Sequence, residues 1–131
     1  MPIKLNHPIT ISNNVFDVSK IIGKGGLSTV FLAKNRETGE EVAIKEFIYQ
    51  NFYDPISRIN DCEDYWENEV LNLIAQAKSG FPTVKVLHYE KRPDLQTPEY
   101  YIVMNFVDGQ TFLEFYREFV QKCRGLENLD L

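Results

Sequence analysis

A glycine cluster near the start of the sequence has the composition of a phosphate-binding turn. Residues 23–30 read Gly-Lys-Gly-Gly-Leu-Ser-Thr-Val. Because glycine has no Cβ, its backbone can take positive φ and approach a ligand closely, presenting amide N–H groups to phosphate oxygens. A hairpin with a flexible tip would use the same residues. The glycines alone therefore leave both interpretations open.

A lysine follows on a short apolar segment, Val42-Ala43-Ile44-Lys45. Side chains alternate along a strand, so Ala43 and Lys45 share one face while Val42 and Ile44 share the other. A small residue leaves room for a flat ring, and the lysine places its ammonium group about 6 to 7 Å further along the strand, where phosphates could lie. The alternative is a lysine that faces solvent, which is the commoner situation.

An enclosed lysine needs an acidic partner, and a predicted helix offers Glu67 and Glu69. Glu69 follows Trp66 by three residues and precedes Leu73 by four, so it lies on the apolar stripe that faces the sheet. Glu67 points roughly 160° away around the helix. We therefore predict that Glu69 is the partner of Lys45.

The strands that hold these residues are predicted from β-branched and aromatic segments separated by turn-forming residues. Five antiparallel strands are expected, three before the helix and two after it. They cover residues 15–22, 28–33, 41–48, 83–89 and 100–107. Residues 1–14 are polar with two prolines and are predicted to be an irregular lead-in.

The first helix is predicted over residues 61–78, where apolar residues recur at spacings of three and four. Residues 50–60 before it are predicted to be a loop. A second helix is predicted over 111–122, where aromatic residues have the same spacing. The order βββ-α-ββ-α predicts an α+β fold with one helix packed on a five-stranded sheet.

The glycine turn, the Val-Ala-Ile-Lys strand, the helix glutamate and a hydrophobic strand that leads to Asp108-Gly109 occur in one order. This arrangement resembles the amino-terminal lobe of protein kinases of the eukaryotic-like serine/threonine type. The resemblance covers about residues 15–125. It implies a kinase N-lobe over 15–109, followed over 110–131 by a hinge-following helix and the start of the carboxyl-terminal lobe.

The resemblance also implies a role for each matching residue, with ATP as the cofactor. Ile22 and Val30 would cover the adenine. Gly23, Gly25 and the backbone near Ser28 would form the phosphate-covering loop. Ser28 stands where the family has a third glycine, which could stiffen the tip of the loop.

Further along the chain, the resemblance implies that Ala43 forms part of the ceiling of the adenine pocket. It also implies that Lys45 holds the α- and β-phosphates and that Glu69 pairs with Lys45. Met104 matches the gatekeeper position. Asn105 and Val107 match the hinge, where backbone groups bind adenine.

Kinase chemistry also requires a His-Arg-Asp loop and an Asp-Phe-Gly motif that holds magnesium. The sequence contains neither motif, and its two histidines, His7 and His88, precede the region where the loop would begin. We therefore predict a truncated kinase with no metal ligands of its own, which binds ATP weakly and does not transfer phosphate. Magnesium would belong to the full-length enzyme.

Apolar surface is expected to be exposed in such a lobe, including Phe112, Phe115 and Phe119, so a carboxyl-terminal lobe or a protein partner should cover it. The alternative to a truncated kinase is a naturally short kinase-like module that binds a nucleotide or a protein without catalysis. A dinucleotide-binding βαβ unit fits poorly, because its glycine loop opens a helix. Here the residues after the glycines are β-branched and aromatic.

Composition sets the remaining limits. The chain has 131 residues, enough for one domain, with 44% hydrophobic and 25% charged residues. Its net charge of −5 argues against nucleic-acid or membrane-surface binding. No long apolar run or signal peptide is visible, and we expect a cytoplasmic protein. Cys62 and Cys123 are far apart and lack metal-ligand spacing, which predicts free thiols and no metal site.

Overall fold

In a computed structural model, residues 3–80 and 84–106 form a curled six-stranded antiparallel sheet with one helix against it. The strands are β1 (Pro8–Ile11), β2 (Asn14–Lys24), β3 (Ser28–Asn35), β4 (Glu41–Phe47), β7 (Val86–Arg92) and β8 (Glu99–Asn105). The helix α1 spans Cys62–Lys78. Between β4 and α1 lie a 3₁₀ helix (Tyr49–Phe52) and a small ribbon of β5 (Tyr53–Asp54) and β6 (Ile59–Asn60).

The α+β arrangement is confirmed, but the prediction of five strands is wrong. Segment 1–14, which we expected to be irregular, contains β1. This strand forms a hairpin with β2 through Ser12 and Asn13, whose φ angles of 50° and 66° are both left-handed. Two consecutive residues with left-handed φ are typical of a tight two-residue hairpin turn. The loop predicted over 50–60 also contains the 3₁₀ helix and the ribbon. The second predicted helix, 111–122, lies outside the described residues.

Strand order in the sheet is β1-β2-β3-β4-β8-β7. The first four strands follow one another along the chain, and β8 then pairs with β4, leaving β7 at the edge. The register places Ala43 of β4 opposite Met104 of β8 and Lys45 opposite Ile102. Because β8 lies between β4 and β7, it has a neighbouring strand on each side, and its residues 99–104 are all buried.

Alternation along the strands divides the core into two clusters. Residues from all six strands meet on one face, among them Phe16, Phe31, Ile44 and Tyr101. The opposite face packs against α1 through a second cluster that includes Val30, Ala43, Ile102 and Met104 of the sheet together with Trp66 and Val70 of the helix. The face that bears Ala43 and Lys45 is therefore the one that the helix covers.

No described helix combines the length and the apolar composition that a membrane-spanning segment would need.

Candidate functional site

The glycine turn connects β2 to β3 as a hairpin. Gly23 is still within β2 and lies opposite Val30, and the Gly25 N–H donates to the carbonyl oxygen of Ser28 at 2.9 Å, which closes the turn. Among the described glycines, positive φ occurs at Gly39 and Gly80 and not in this turn. A Cβ at Gly26 would meet no atom within 4 Å, so the turn is open to its surroundings. The turn therefore does not use the positive φ that glycine permits.

Lys45 lies on β4 opposite Val30 of β3, and Val30 in turn lies opposite Gly23 of β2. Its ammonium nitrogen Nζ donates to Oε1 of Glu69 on α1, forming an ion pair. The Lys45 side chain is 18% exposed and that of Glu69 is 29% exposed. The same ammonium lies 5.3 Å from the ring centroid of Phe47. Glu67, in contrast, faces solvent. Lys45 and Glu69 are therefore on the same side of the sheet.

Trp66 fixes the helix at this position. Its indole Nε1–H donates to the carbonyl oxygen of Tyr101 at 3.0 Å, in a buried hydrogen bond. Its ring packs on Tyr100, with centroids 5.7 Å apart, and edge-on against Tyr89 at 6.0 Å. Because Glu69 is three residues further along α1, the anchor at Trp66 directs the Glu69 carboxylate toward β4.

A cavity of about 680 Å³ opens between the glycine turn, β4 and α1. Its size is in the range of small-molecule sites. The ion pair lies in its wall, so a ligand in the cavity could reach both the ammonium of Lys45 and the backbone of the turn. The lining residues are Gly25, Gly26, Leu27, Ser28, Lys45, Phe47, Tyr65, Asn68, Glu69, Asn72, Leu73 and Gln76.

The predicted adenine contacts are placed differently. Val30, Ala43 and Met104 are buried in the cluster beneath α1, and Ile22 packs against that cluster. None of these four lines the described cavity. Within this cluster, Ala43 lies opposite Met104. The structure therefore groups the glycine turn, Lys45 and Glu69 around the cavity and keeps these apolar residues together in the core next to it.

Asn105 at the end of β8 forms two hydrogen bonds with Lys85, which precedes β7. Its backbone N–H donates to the carbonyl oxygen of Lys85 at 3.1 Å, and its side-chain Oδ1 accepts from the Lys85 N–H at 2.7 Å. These two bonds hold the start of β7 against the end of β8. Val107, the other predicted hinge residue, lies outside the described residues.

Sequence reasoning missed the carboxamides in the cavity wall. Asn68, Asn72 and Gln76 follow one another at intervals of four, which places them along one face of α1 beside the stripe of Glu69 and Leu73. The spacing was visible in the sequence, although an amphipathic pattern assigns such residues to solvent. In residues 3–80 and 84–106, no three His, Cys, Asp or Glu side chains converge as a metal site.

Comparisons with known proteins support a relationship to protein kinases over part of the chain. No protein-family model matches the chain. A probable serine/threonine-protein kinase of Dictyostelium discoideum is 31% identical over 109 residues, which are 81% of this chain and 7% of that protein. The crystal structure of the BubR1 kinase domain matches with a TM-score of 0.54 and 20% identity, over 82% of this chain and 28% of that one. The chain thus spans a small part of each protein.

The structural match shows a shared fold, and the sequence match supports a relationship to protein kinases over 81% of this chain. An antiparallel sheet with one packed helix is the architecture expected of a kinase amino-terminal lobe. The chain is therefore related to the protein kinase superfamily over part of its length, as a module like the kinase N-lobe.

Proposed function

We propose that this chain is the ATP-binding N-lobe of a serine/threonine protein kinase. The observation that supports this most directly is the Lys45–Glu69 ion pair in the wall of a cavity that also contains the glycine turn. A lysine held by a helix carboxylate beneath a glycine turn can bind the phosphates of a nucleotide. The Dictyostelium relative is a probable serine/threonine-protein kinase, which is consistent with serine/threonine specificity.

In this proposal the phosphates occupy the cavity. Lys45 contacts the α- and β-phosphates, and the turn formed by Gly23, Gly25 and Ser28 covers them with its backbone. Glu69 orients the Lys45 ammonium, so the lysine needs little rearrangement when the ligand binds. Because Glu69 also neutralises Lys45, the site as described offers a phosphate chain little net positive charge.

Adenine would bind beside the apolar cluster that contains Val30, Ala43 and Met104, with Ile22 above the ring and the backbone of Asn105 and Val107 at its edge. The support for this placement is that the apolar residues are contiguous and next to the cavity. The burial of Ala43 indicates that a ring would contact the surface of this cluster rather than enter it.

Phosphoryl transfer requires groups that the sequence does not contain, namely the His-Arg-Asp and Asp-Phe-Gly motifs. We propose that a carboxyl-terminal lobe or a protein partner supplies them, together with the magnesium ligands. By itself the module would bind ATP weakly and transfer no phosphate.

Titration of the protein with ATP, with and without magnesium, tests the proposal. We expect the Lys45→Ala variant to bind ATP roughly tenfold or more weakly than the wild type, because it loses a charge-assisted hydrogen bond to phosphate. Lys34→Ala is the matched control, since Lys34 is an exposed lysine on β3. Equal ATP affinity for the wild type and Lys45→Ala would remove Lys45 from the phosphate site.

A further inference from the structure

The connection between β4 and α1 reaches back to the glycine turn. The Ile48 N–H donates to the carbonyl oxygen of Leu27 at 2.8 Å, and the side-chain Nδ2 of Asn51 donates to the carbonyl oxygen of Gly26 at 2.7 Å. Two consecutive carbonyl groups of the turn are therefore held by the segment that follows β4. The first bond extends the β3–β4 ladder, whereas the second depends on one side chain.

These bonds fix the orientation of the peptide groups in the turn. A trans peptide is planar, and its C=O and N–H point in opposite directions. The Gly26 carbonyl points toward Asn51, so the N–H of Leu27 in the same peptide plane points away from the connection. The Leu27 carbonyl points toward Ile48, which directs the Ser28 N–H away in the same manner. Both Leu27 and Ser28 line the cavity.

Asn51 is itself held in place. It belongs to the 3₁₀ helix, and its backbone N–H donates to the Ile48 carbonyl at 2.9 Å. Next to it, the Phe52 ring packs between Phe47 and Tyr65, with centroid distances of 6.2 and 5.3 Å. At the far end of the ribbon, Asn60 Nδ2 donates to the Tyr49 carbonyl at 2.8 Å. The carboxamide of Asn51 thus extends from an anchored segment.

We propose that Asn51 is a positioning residue of the phosphate site, which locks the Gly26–Leu27 peptide so that its N–H is available to an anionic group in the cavity. This inference rests on the proposed nucleotide function and extends it to a residue outside the glycine turn. Without Asn51 the peptide can rotate, and a carbonyl oxygen can then face the phosphate and repel it.

The test compares Asn51→Ala with the wild type, using ATP and adenosine as separate probes. Asn51 is exposed, so its replacement should leave the core intact. We expect ATP to bind about threefold to tenfold more weakly, as for the loss of one hydrogen bond, while adenosine affinity is unchanged. Gln50→Ala, an exposed neighbour in the same 3₁₀ helix, is the matched control and should bind both probes as the wild type does.

A second readout needs no nucleotide. The residual dipolar coupling of the Leu27 N–H reports the direction of that bond, and we expect it to change in Asn51→Ala and to stay the same in Gln50→Ala. An unchanged coupling, or an equal loss of affinity for ATP and adenosine, would overturn the proposal. If the wild type binds no ATP, the proposed function fails, and the Leu27 coupling alone then decides whether Asn51 orients the turn.

Discussion

The ion pair of Lys45 and Glu69 is only partly enclosed, with side-chain exposures of 18% and 29%. Pairs that remain in contact with water contribute little to folding, typically about 0–1 kcal/mol. The pair lies in the wall of the cavity, where each side chain limits the rotamers of the other. The pair therefore serves to orient the ammonium of Lys45 more than to stabilise the fold.

Cys62 gives a prediction at the same scale. The thiol is fully buried at the start of α1, and burial raises its pKa to about 12. Since the thiolate is the reactive form, a Cys123→Ser variant should react with a thiol reagent at pH 8 roughly a hundredfold or more slowly when folded than in urea. Comparable rates in the folded and unfolded chain would contradict this burial.

The pH dependence follows from the sign of the same shift. The pKa of Cys62 is higher in the folded chain, so the native state favours the neutral thiol. Its contribution to stability is complete below the ordinary thiol pKa of about 8.5 and is lost as the pH rises toward 12. Burial raises the pKa of Tyr100 to about 12 as well, which adds to the loss of stability in alkaline solution.

At the scale of elements, α1 is attached to the sheet mainly through one side of the helix. Cys62, Trp66 and Val70 are its buried residues and recur every four positions. The side chain of Trp66 combines apolar packing with a hydrogen bond to β8. The placement of Glu69 beside Lys45 therefore depends on this packing, since Glu69 belongs to the same rigid helix.

Replacement of Trp66 by alanine should lower the free energy of unfolding by about 3–5 kcal/mol, because it leaves a cavity and removes a buried donor. Leu71→Ala is the matched control on the same helix, since Leu71 is 56% exposed, and it should change stability by less than about 0.5 kcal/mol. Urea unfolding measures both. A similar small effect for both variants would mean that Trp66 does not anchor the helix.

At the scale of the molecule, the sheet curls until its two edge strands, β1 and β7, approach each other. Arg92 of β7 donates to the carbonyl oxygen of Thr10 on β1, and Glu90 accepts from the Ser12 N–H at 2.9 Å. The Arg92 guanidinium also bonds to Glu90 at 2.6 Å and Glu99 at 3.2 Å, and it lies 5.2 Å from the ring centroid of Tyr101. These contacts close one side of the core.

Arg92→Ala should lower the free energy of unfolding by about 2–4 kcal/mol. Glu99 is 7% exposed, and Arg92→Ala removes a cationic partner from its buried carboxylate, which retains the hydrogen bond from the Tyr101 hydroxyl. Arg36→Ala is the matched control, because its pair with Asp17 is exposed to solvent, and it should leave the free energy of unfolding nearly unchanged. Denaturant titration distinguishes the two. Equal, small losses would show that the Arg92 contacts do not hold the edges together.

Much of the site was predictable because it depends on local geometry. The alternation of a strand puts Ala43 and Lys45 on one face, and the helical repeat puts Glu69 rather than Glu67 toward the sheet. Glycines between two β-branched segments predict a hairpin turn. Each of these inferences uses residues that are close together in the sequence, where the covalent chain itself determines which side chains share a face.

Apart from the predicted Lys45–Glu69 pair, the contacts that join distant residues were decided by the tertiary structure alone. Arg92 and Thr10 are 82 positions apart, and Asn51 and Gly26 are 25 apart. The hairpin of β1 was missed because two prolines and polar residues suggested an irregular segment, while its strand is stabilised by pairing with β2 and by Arg92. The sequence by itself determined the faces on which Lys45 and Glu69 lie. Only the packing of sheet and helix determined that these faces meet around a cavity, because such packing depends on contacts that no local pattern encodes.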